Sequence, residues 1–364
     1  LGGAQWLISL DNTSRAVFAG YQRMGVLGRV EVAKVVIESV LWFSILYLGF
    51  GALALAGVRI VIAALGFVIS TLFLFRHFPI RFSRPQWSIA TTLLPAGFRF
   101  ASASALQSIY ERVGFVMLAA FAGPQAVALV STATTLTEKI FWFVPSVQGA
   151  IFPFFSRLQV VDRERLRSAF ARALRYQLFI SVGCGLGASI LGPWVIRLVF
   201  PQAFWIAGAV VEILAWACVP KLVGSFLTTV LQALGHERQV SSISAIQCVS
   251  FICLTFVLIH WWGALGFTWA FFAAETLSVG LQGFLLRRAG FFADINFGSL
   301  SAIIACGVVL FGATAWLPGG RDNLLGELVL MVIFPILVLV SHGISLADVH
   351  YLQGLWLNKR PSAA

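Results

Sequence analysis

The sequence predicts an all-α polytopic membrane protein with about eleven transmembrane helices. Hydrophobic residues make up 59% of its 364 residues and charged residues only 11%, whereas a soluble domain carries about 25% charged residues. The mean hydropathy is +0.92, and apolar segments long enough to cross a bilayer recur along the chain. Most basic residues lie in the loops between these segments, so membrane orientation accounts for the net charge of +11, and nucleic acid is not an expected partner.

Residues 1–74 are interpreted as the remainder of an N-terminal lobe. Three predicted spans lie in it: Leu1–Gly20, Gly28–Phe50 and Ala52–Leu74. The first span is imperfect because Asp11 and the polar residues after it interrupt the apolar run. The second carries Lys34 and Glu38 at i, i+4 spacing, so these two side chains can pair on one helix face. A basic linker at residues 75–92 follows and is expected in the cytoplasm.

The stretch Leu93–Phe155 predicts a helical hairpin that turns at Gly123-Pro124. Each apolar arm contains an acid followed directly by a base, and these residues are Glu111, Arg112, Glu138 and Lys139. At about 1.5 Å per helical residue, all of them lie roughly 16–22 Å below the turn, at nearly the same depth. An ionisable side chain in hydrocarbon is costly unless it faces a partner or a water-filled cavity.

Polar side chains continue these charged positions along one face of each arm. At helical spacing they are Ser104, Gln107 and Ser108 before Glu111, and Ser131 and Thr135 before Glu138. Stripes that reach beyond the charges favour a wetted cavity wall. The alternative is that the charged residues pair with one another and lock two helices together.

Residues 93–286 are interpreted as a C-terminal lobe of six helices, and residues 287–364 as two extra helices and a cytoplasmic tail. The spans predicted after the hairpin are Tyr176–Phe200, Ala203–Leu234, Gln239–Trp261, Gly263–Leu286, Phe297–Leu317 and Leu324–His342. Between the hairpin and these spans, an apolar stripe of Leu166, Phe170 and Leu174 lies opposite a row of arginines. That pattern predicts either a helix in the membrane interface on anionic lipid or a solvated helical linker.

The distribution of basic residues predicts the orientation of the spans. Loops after the odd-numbered spans hold nearly all loop arginines and lysines, whereas among the intervening loops only the last, with Arg321, contains a basic residue. The positive-inside rule therefore places the Gly123-Pro124 turn outside and Arg163 inside. On this orientation, an intact protein that starts in the cytoplasm needs an odd number of spans before Leu1.

The cysteines and histidines predict no cofactor, no metal site and no catalytic residues. The five cysteines lie in apolar stretches, which gives neither a disulfide framework nor metal-ligand spacing. The five histidines are scattered near span ends. Because the predicted outer loops are also very short, they offer no room for a catalytic loop.

Several stretches along the chain resemble the polysaccharide or oligosaccharide flippases (Wzx-like, O-antigen type) of the MOP superfamily. They read YQRMGVLGRVEVAKVVIESV, LPAGFRFASASALQSIYERVGFVMLAAFAG, IFPFFSRL and LQALGHERQVSSI. The resemblance implies a MATE-like fold of two lobes related by pseudosymmetry. On this alignment the chain is N-terminally truncated and lacks the first three family helices, which satisfies the odd number that its orientation requires.

The resemblance also implies a transporter rather than an enzyme. Its cargo would be an undecaprenyl-diphosphate-linked oligosaccharide for surface polysaccharide such as lipopolysaccharide. The protein would flip this cargo from the cytoplasmic to the outer leaflet of the bacterial inner membrane by alternating access. Its expected partners are the lipid-linked oligosaccharide, membrane lipid and other polysaccharide assembly proteins.

The resemblance gives the charged residues roles as cavity candidates. The bases that would neutralise the diphosphate are Arg99, Arg112, Lys139 and Lys221. The acids that would hold these bases in place are Glu111 and Glu138. The candidates for binding a coupling ion are Glu38, Glu111, Glu138 and Glu212. For Glu275, a polar contact between packed helices is the favoured interpretation.

Other protein classes remain as alternatives. A multidrug or cation antiporter of the same superfamily would use a cavity acid to exchange a cation for a drug, but here the cavity bases match or exceed the acids. A membrane-embedded polysaccharide-processing enzyme is less favoured because the outer loops are short. A fragment without function is the third alternative, since half of the cavity wall would be missing.

Overall fold

The computed structural model describes residues 5–13, 24–49, 52–77, 87–140, 151–152, 154–159, 163–316, 324–341 and 343. Within these residues the chain is helical and has no β-strand, which confirms the predicted all-α fold. Five helical stretches are long and apolar enough to cross a membrane: Gly57–Arg76, Ser108–Lys139, Glu164–Val199, Ala207–Ala233 and Glu237–Arg288. The protein is therefore a polytopic membrane protein.

The helices differ greatly in length. In chain order they are α1 (residues 5–13), α2 (Met24–Tyr47), α3 (Ala52–His77), α4 (Trp87–Ile140), α5 (residues 154–159), α6 (Arg163–Val199), α7 (Ala207–Ala233), α8 (Glu237–Arg288), α9 (Phe297–Ala313) and α10 (Leu324–Val340). A single span needs about 20 residues, whereas α4 has 54 residues and α8 has 52. Each of these two helices is long enough to cross the membrane twice.

A glycine divides each of the two longest helices into two arms. Gly123 in α4 has φ 82° and ψ 172°, and Gly263 in α8 has φ 51° and ψ −123°. Side chains with a Cβ rarely adopt such positive φ values, so glycine permits the reversal. The turn predicted at Gly123-Pro124 is thus confirmed. A Cβ on Gly266 would collide with the carbonyl oxygen of Leu258, which shows how closely the arms of α8 approach each other.

The chain divides into two compact units, Leu1–Thr92 (unit 1) and Leu93–Ala364 (unit 2). In unit 1, α2 packs against α3. Asp11 lies within α1, where it is only 5% exposed. Its carboxylate accepts a hydrogen bond from Lys34 Nζ at 2.7 Å.

This ion pair differs from the pairing that the spacing of Lys34 and Glu38 predicts. The side chains of Lys34 and Asp11 are 10% and 7% exposed, and a buried charge is strongly unfavourable unless an opposite charge meets it. Glu38, which is half-buried, instead accepts a hydrogen bond from Trp42 Nε1 at 3.4 Å. Burial of Asp11 therefore decides which acid Lys34 contacts.

Unit 2 is built around α6, α7 and α8, with α9 and α10 packed on α6. Phe170 stacks on Phe226 with ring centroids 6.0 Å apart, which joins α6 to α7. Phe179 stacks on Phe334 at 5.4 Å, which joins α6 to α10. The two helices after residue 286 therefore share the core of this unit.

The apolar stripe before the Tyr176 span packs against other elements of unit 2. Leu166, Phe170 and Leu174 are at most 6% exposed and belong to the main core cluster, together with Phe155 and Phe226. The segment continues without a break into α6. Its stripe faces the protein rather than lipid or solvent, because aromatic side chains of other elements cover it. Protein, and not lipid or water, therefore covers the apolar stripe, while the surroundings of the arginine face stay a prediction.

Candidate functional site

A small pocket in unit 2 lies between both arms of α4, α7 and α8. Its lining residues are Tyr110, Phe115, Thr134, Thr137, Glu138, Leu214, Cys218, Lys221, Phe251, Phe267 and Phe271. Its volume is about 60 Å³, which is enough for only about two water molecules. The walls are mainly aromatic, and among the lining residues the formal charges come from Glu138 and Lys221.

The hairpin geometry of α4 explains how its two arms reach one pocket. Tyr110 and Thr137 lie at similar distances from Gly123 along the two arms, so an antiparallel turn brings them to the same depth. Thr134, Thr137 and Glu138 follow i, i+3, i+4 spacing and therefore share one helix face. Tyr110 and Thr137, which are directly adjacent to the predicted charges Glu111 and Glu138, therefore reach the pocket from equal depths of the hairpin.

A buried hydrogen bond closes one side of the pocket. The hydroxyl of Tyr110 donates to Glu275 Oε1 at 2.9 Å, and the two residues are 3% and 6% exposed. The ring of Tyr110 stacks on Phe271 with centroids 5.9 Å apart. The bond joins the first arm of α4 to the second arm of α8, which agrees with the interpretation of Glu275 as a packing contact.

Lys221 brings positive charge to the pocket from α7. Its Nζ lies 5.5 Å from the centroid of the Phe271 ring, at a distance where an aromatic face attracts a cation. The side chain is half-buried. Glu138 lines the same pocket, and Glu275 accepts the hydrogen bond of Tyr110 in its wall.

The structure does not bring Arg112 and Lys139 to this pocket. Both side chains are exposed and neither lines it. Arg112 comes two residues after Tyr110 and Lys139 comes directly after Glu138, and each helical residue turns the side chain by about 100°. They lie at the depth of the pocket but on other helix faces. The side chains of Arg99 and Glu111 lie outside the described residues.

The other acidic candidates lie elsewhere. Glu212 lines a second cavity of about 50 Å³ with Arg197, Trp194 and Glu327, in which Trp194 Nε1 donates to Glu327 Oε2 at 3.0 Å. Glu38 belongs to unit 1. In the part of the chain that the structure describes, no three His, Cys, Asp or Glu side chains group as a metal site would require. The acidic candidates are thus distributed over separate places.

Sequence reasoning missed several pocket residues. It chose Ser131 and Thr135, whose hydroxyls donate to the helix carbonyls of Ala128 and Ser131 at 3.1 and 2.8 Å. Thr134 and Thr137, which line the pocket, also lie at helical spacing with Glu138 and were equally visible in the sequence. Tyr110 precedes the acid–base pair of the first arm, but its hydrogen bond to α8 depends on tertiary packing.

Comparison with known protein families identifies the family of this chain. Residues 6–208 match the polysaccharide biosynthesis protein family. The match covers more than half of the 364 residues and includes all of α4, which supplies two sides of the pocket. A search of curated proteins gives no match. This helical membrane chain belongs to the polysaccharide biosynthesis protein family.

Proposed function

We propose that this protein is a transporter of the MOP superfamily that flips an undecaprenyl-diphosphate-linked oligosaccharide across the bacterial cytoplasmic membrane. The cargo would serve surface polysaccharide biosynthesis. Membership of the polysaccharide biosynthesis family and a polytopic helical fold support this function. The single observation that carries it is Lys221, a cation held among aromatic rings within a helix long and apolar enough to span a membrane.

The position of Lys221 fits a temporary partner for phosphate. Moving a diphosphate through hydrocarbon is costly, and a protein cation at membrane depth lowers that cost. In the absence of cargo, the face of Phe271 stabilises the ammonium group. A phosphate oxygen would replace this contact and pair with the ammonium group directly.

The small pocket volume fits a closed stage of alternating access. A cavity of about 60 Å³ cannot hold a diphosphate with its sugars, so the arms of α4 must separate from α7 and α8 to admit it. Transporters move through such stages by rigid-body motion of bundles around a central site. On this proposal Arg112 and Lys139, both exposed at the same depth, meet the phosphates when the site opens.

The function is tested by replacing Lys221 in the full-length protein, expressed in a strain without its own flippase. Lys221→Gln is expected to lower surface polysaccharide by about tenfold or more, as loss of one charge contact in the transition state would. Lys221→Arg keeps the charge and should retain most activity. Membrane protein level, measured in parallel, separates transport from folding. Normal polysaccharide in a well-expressed Lys221→Gln variant overturns the proposal.

A multidrug antiporter is the second candidate, and the pocket itself favours it in one respect. Four phenylalanines and Glu138 line the pocket, with Glu275 behind Tyr110. Aromatic rings with a carboxylate suit a lipophilic cation. Efflux of ethidium that is lost in Glu138→Gln, together with polysaccharide output that is unchanged in Lys221→Gln, would favour this function instead.

A further inference from the structure

A larger groove in unit 2, distinct from the two cavities described above, runs between α6, α7, the last turns of α8 and the first turns of α9. Its volume is about 750 Å³, and its walls are mainly apolar, including Leu174, Leu178, Val223 and Leu300. Water does not stably fill a site whose walls offer few hydrogen-bond partners. Within a membrane, a hydrocarbon chain is the occupant that suits such walls.

Arginine marks one end of this groove. On α8, Val279, Gly283 and Arg287 line the groove at i, i+4, i+8 spacing, and Arg287 is the last residue of α8 that lines it. The next residue, Arg288, places its guanidinium carbon 4.5 Å from the centroid of the Phe284 ring, which also lines the groove. The groove is therefore apolar along its length and cationic at this end.

Arg167 on α6 belongs to the same end. Arg167, Leu174 and Leu178 share a helix face at i, i+7, i+11 spacing. A Cβ on Gly290, in the turn directly after α8, would lie 3.0 Å from Arg167 Nη2. Arg167 Nε is buried and has no hydrogen-bond partner among the residues that the structure describes. A buried donor without an acceptor costs free energy, and a bound anion would satisfy it.

We propose that this groove binds an anionic phospholipid. One acyl chain lies along the apolar walls, and the phosphate is held among Arg167, Arg287 and Arg288. Charge complementarity selects an anionic over a zwitterionic lipid. The positive-inside rule predicts that the end of α8 is cytoplasmic, and the cytoplasmic leaflet is where anionic lipids attract basic residues. The proposal does not depend on what the protein transports.

The charge contribution is tested on the purified full chain in nanodiscs that contain phosphatidylglycerol and phosphatidylcholine in equal amounts. Native mass spectrometry counts which lipid remains bound after release from the disc. We expect the wild type to retain phosphatidylglycerol preferentially. Arg287→Gln and Arg288→Gln should each lower that preference by about fivefold, while Arg287→Lys and Arg288→Lys keep it. Equal retention of both lipids by the wild type overturns the proposal.

The groove itself is tested by filling it. A Cβ on Gly280, which lines the groove, meets nothing within 4 Å, so Gly280→Leu adds bulk to the groove from an uncrowded backbone position. It should lower retention of both lipids on the order of tenfold. Gly312→Leu on α9 is the matched control, because Gly312 also has open space and does not line the groove.

Unchanged lipid retention in Gly280→Leu overturns the proposed position of the acyl chain. Preferential retention of a polyprenyl diphosphate over phosphatidylglycerol overturns the proposed ligand. Far-UV circular dichroism, which measures helix content, and size-exclusion chromatography verify that each variant is folded. If Gly280→Leu does not fold, Gly283→Leu provides the same test, because a Cβ on Gly283 meets its nearest atom, in Phe292, at an ordinary 3.7 Å.

Discussion

The hydroxyl of Tyr110 donates a hydrogen bond of 2.9 Å to Glu275, across a separation of 165 residues in the sequence. Both side chains are buried in unit 2. The bond ties the first arm of α4 to the second arm of α8, and Tyr110 also lines the pocket that contains Lys221. This contact therefore fixes the wall against which Lys221 is placed.

Tyr110→Phe is expected to destabilise the protein by about 1–3 kcal/mol, because a buried carboxylate loses a hydrogen-bond donor. The ring remains, so stacking on Phe271 is kept. The measurement is thermal or chemical unfolding of the full-length protein in detergent. Phe115→Leu, which alters the same pocket wall without touching a hydrogen bond, controls for general loosening. Equal stability of Tyr110→Phe and the wild type would mean that the bond contributes nothing.

Lys34→Met is expected to cost about 3–5 kcal/mol, because it removes the cation that lies 2.7 Å from the buried carboxylate of Asp11. Adding Asp11→Leu should restore most of the lost stability, since two apolar side chains can replace a buried ion pair. The measurement is the unfolding midpoint of single and double variants in detergent.

Glu38→Gln is the matched control for that pair. Glu38 is half-buried, and among the described residues its hydrogen bond is the long one from Trp42, so its neutralisation should change stability by less than about 1 kcal/mol. If the double variant is no more stable than Lys34→Met alone, Asp11 and Lys34 do not act as a pair.

Two glycines of α8 should respond in opposite directions to alanine. Gly266→Ala places a Cβ against the carbonyl oxygen of Leu258, and overpacking of this kind costs about 1–3 kcal/mol. Gly280→Ala meets open space and should stabilise the helix by roughly 0.5–1 kcal/mol, because alanine loses less backbone entropy than glycine. Unfolding curves of both variants test the turn geometry. Destabilisation by both would contradict it.

The helical hairpin could be read from the sequence because its signals are local. A Gly-Pro pair between two apolar runs predicts a reversal, and Gly123 has the positive φ that the reversal requires. Gly263 likewise divides two predicted spans and divides α8. The all-helical membrane fold follows from composition, which averages over many residues and tolerates local errors.

Contacts between residues that are far apart in the sequence could not be predicted in the same way. Leu166, Phe170 and Leu174 show the same periodicity whether the covering surface is lipid or protein, and only packing reveals the latter. Lys34 pairs with Asp11 rather than with Glu38 because α1 lies beside α2 and the pair is buried between them. For the pocket, the depth of the charged residues was predictable. The rotation of each arm, which brings Glu138 to the pocket but not Lys139, was not.

Arg112→Gln and Lys139→Gln are each expected to lower surface polysaccharide by about tenfold or more, if these bases meet the diphosphate when the site opens. Both side chains are exposed, so neutralising either one leaves no buried partner charge uncompensated. The membrane protein level should therefore stay at the wild-type value. The measurement pairs polysaccharide output with protein level for the full-length protein in a strain without its own flippase. Arg157→Gln, an exposed arginine of α5, controls for a general loss of positive charge.

A structural lock between the charged residues of the hairpin makes the opposite prediction. In that case Arg112→Gln or Lys139→Gln would lower the amount of protein in the membrane, and joint neutralisation with Glu138 or Glu111 would restore it. Among the residues that the structure describes, no ion pair joins Arg112 or Lys139 to Glu138, which argues against a lock. Normal polysaccharide in both single variants would remove these bases from the cargo path and leave Lys221 as the basic candidate that lines the pocket.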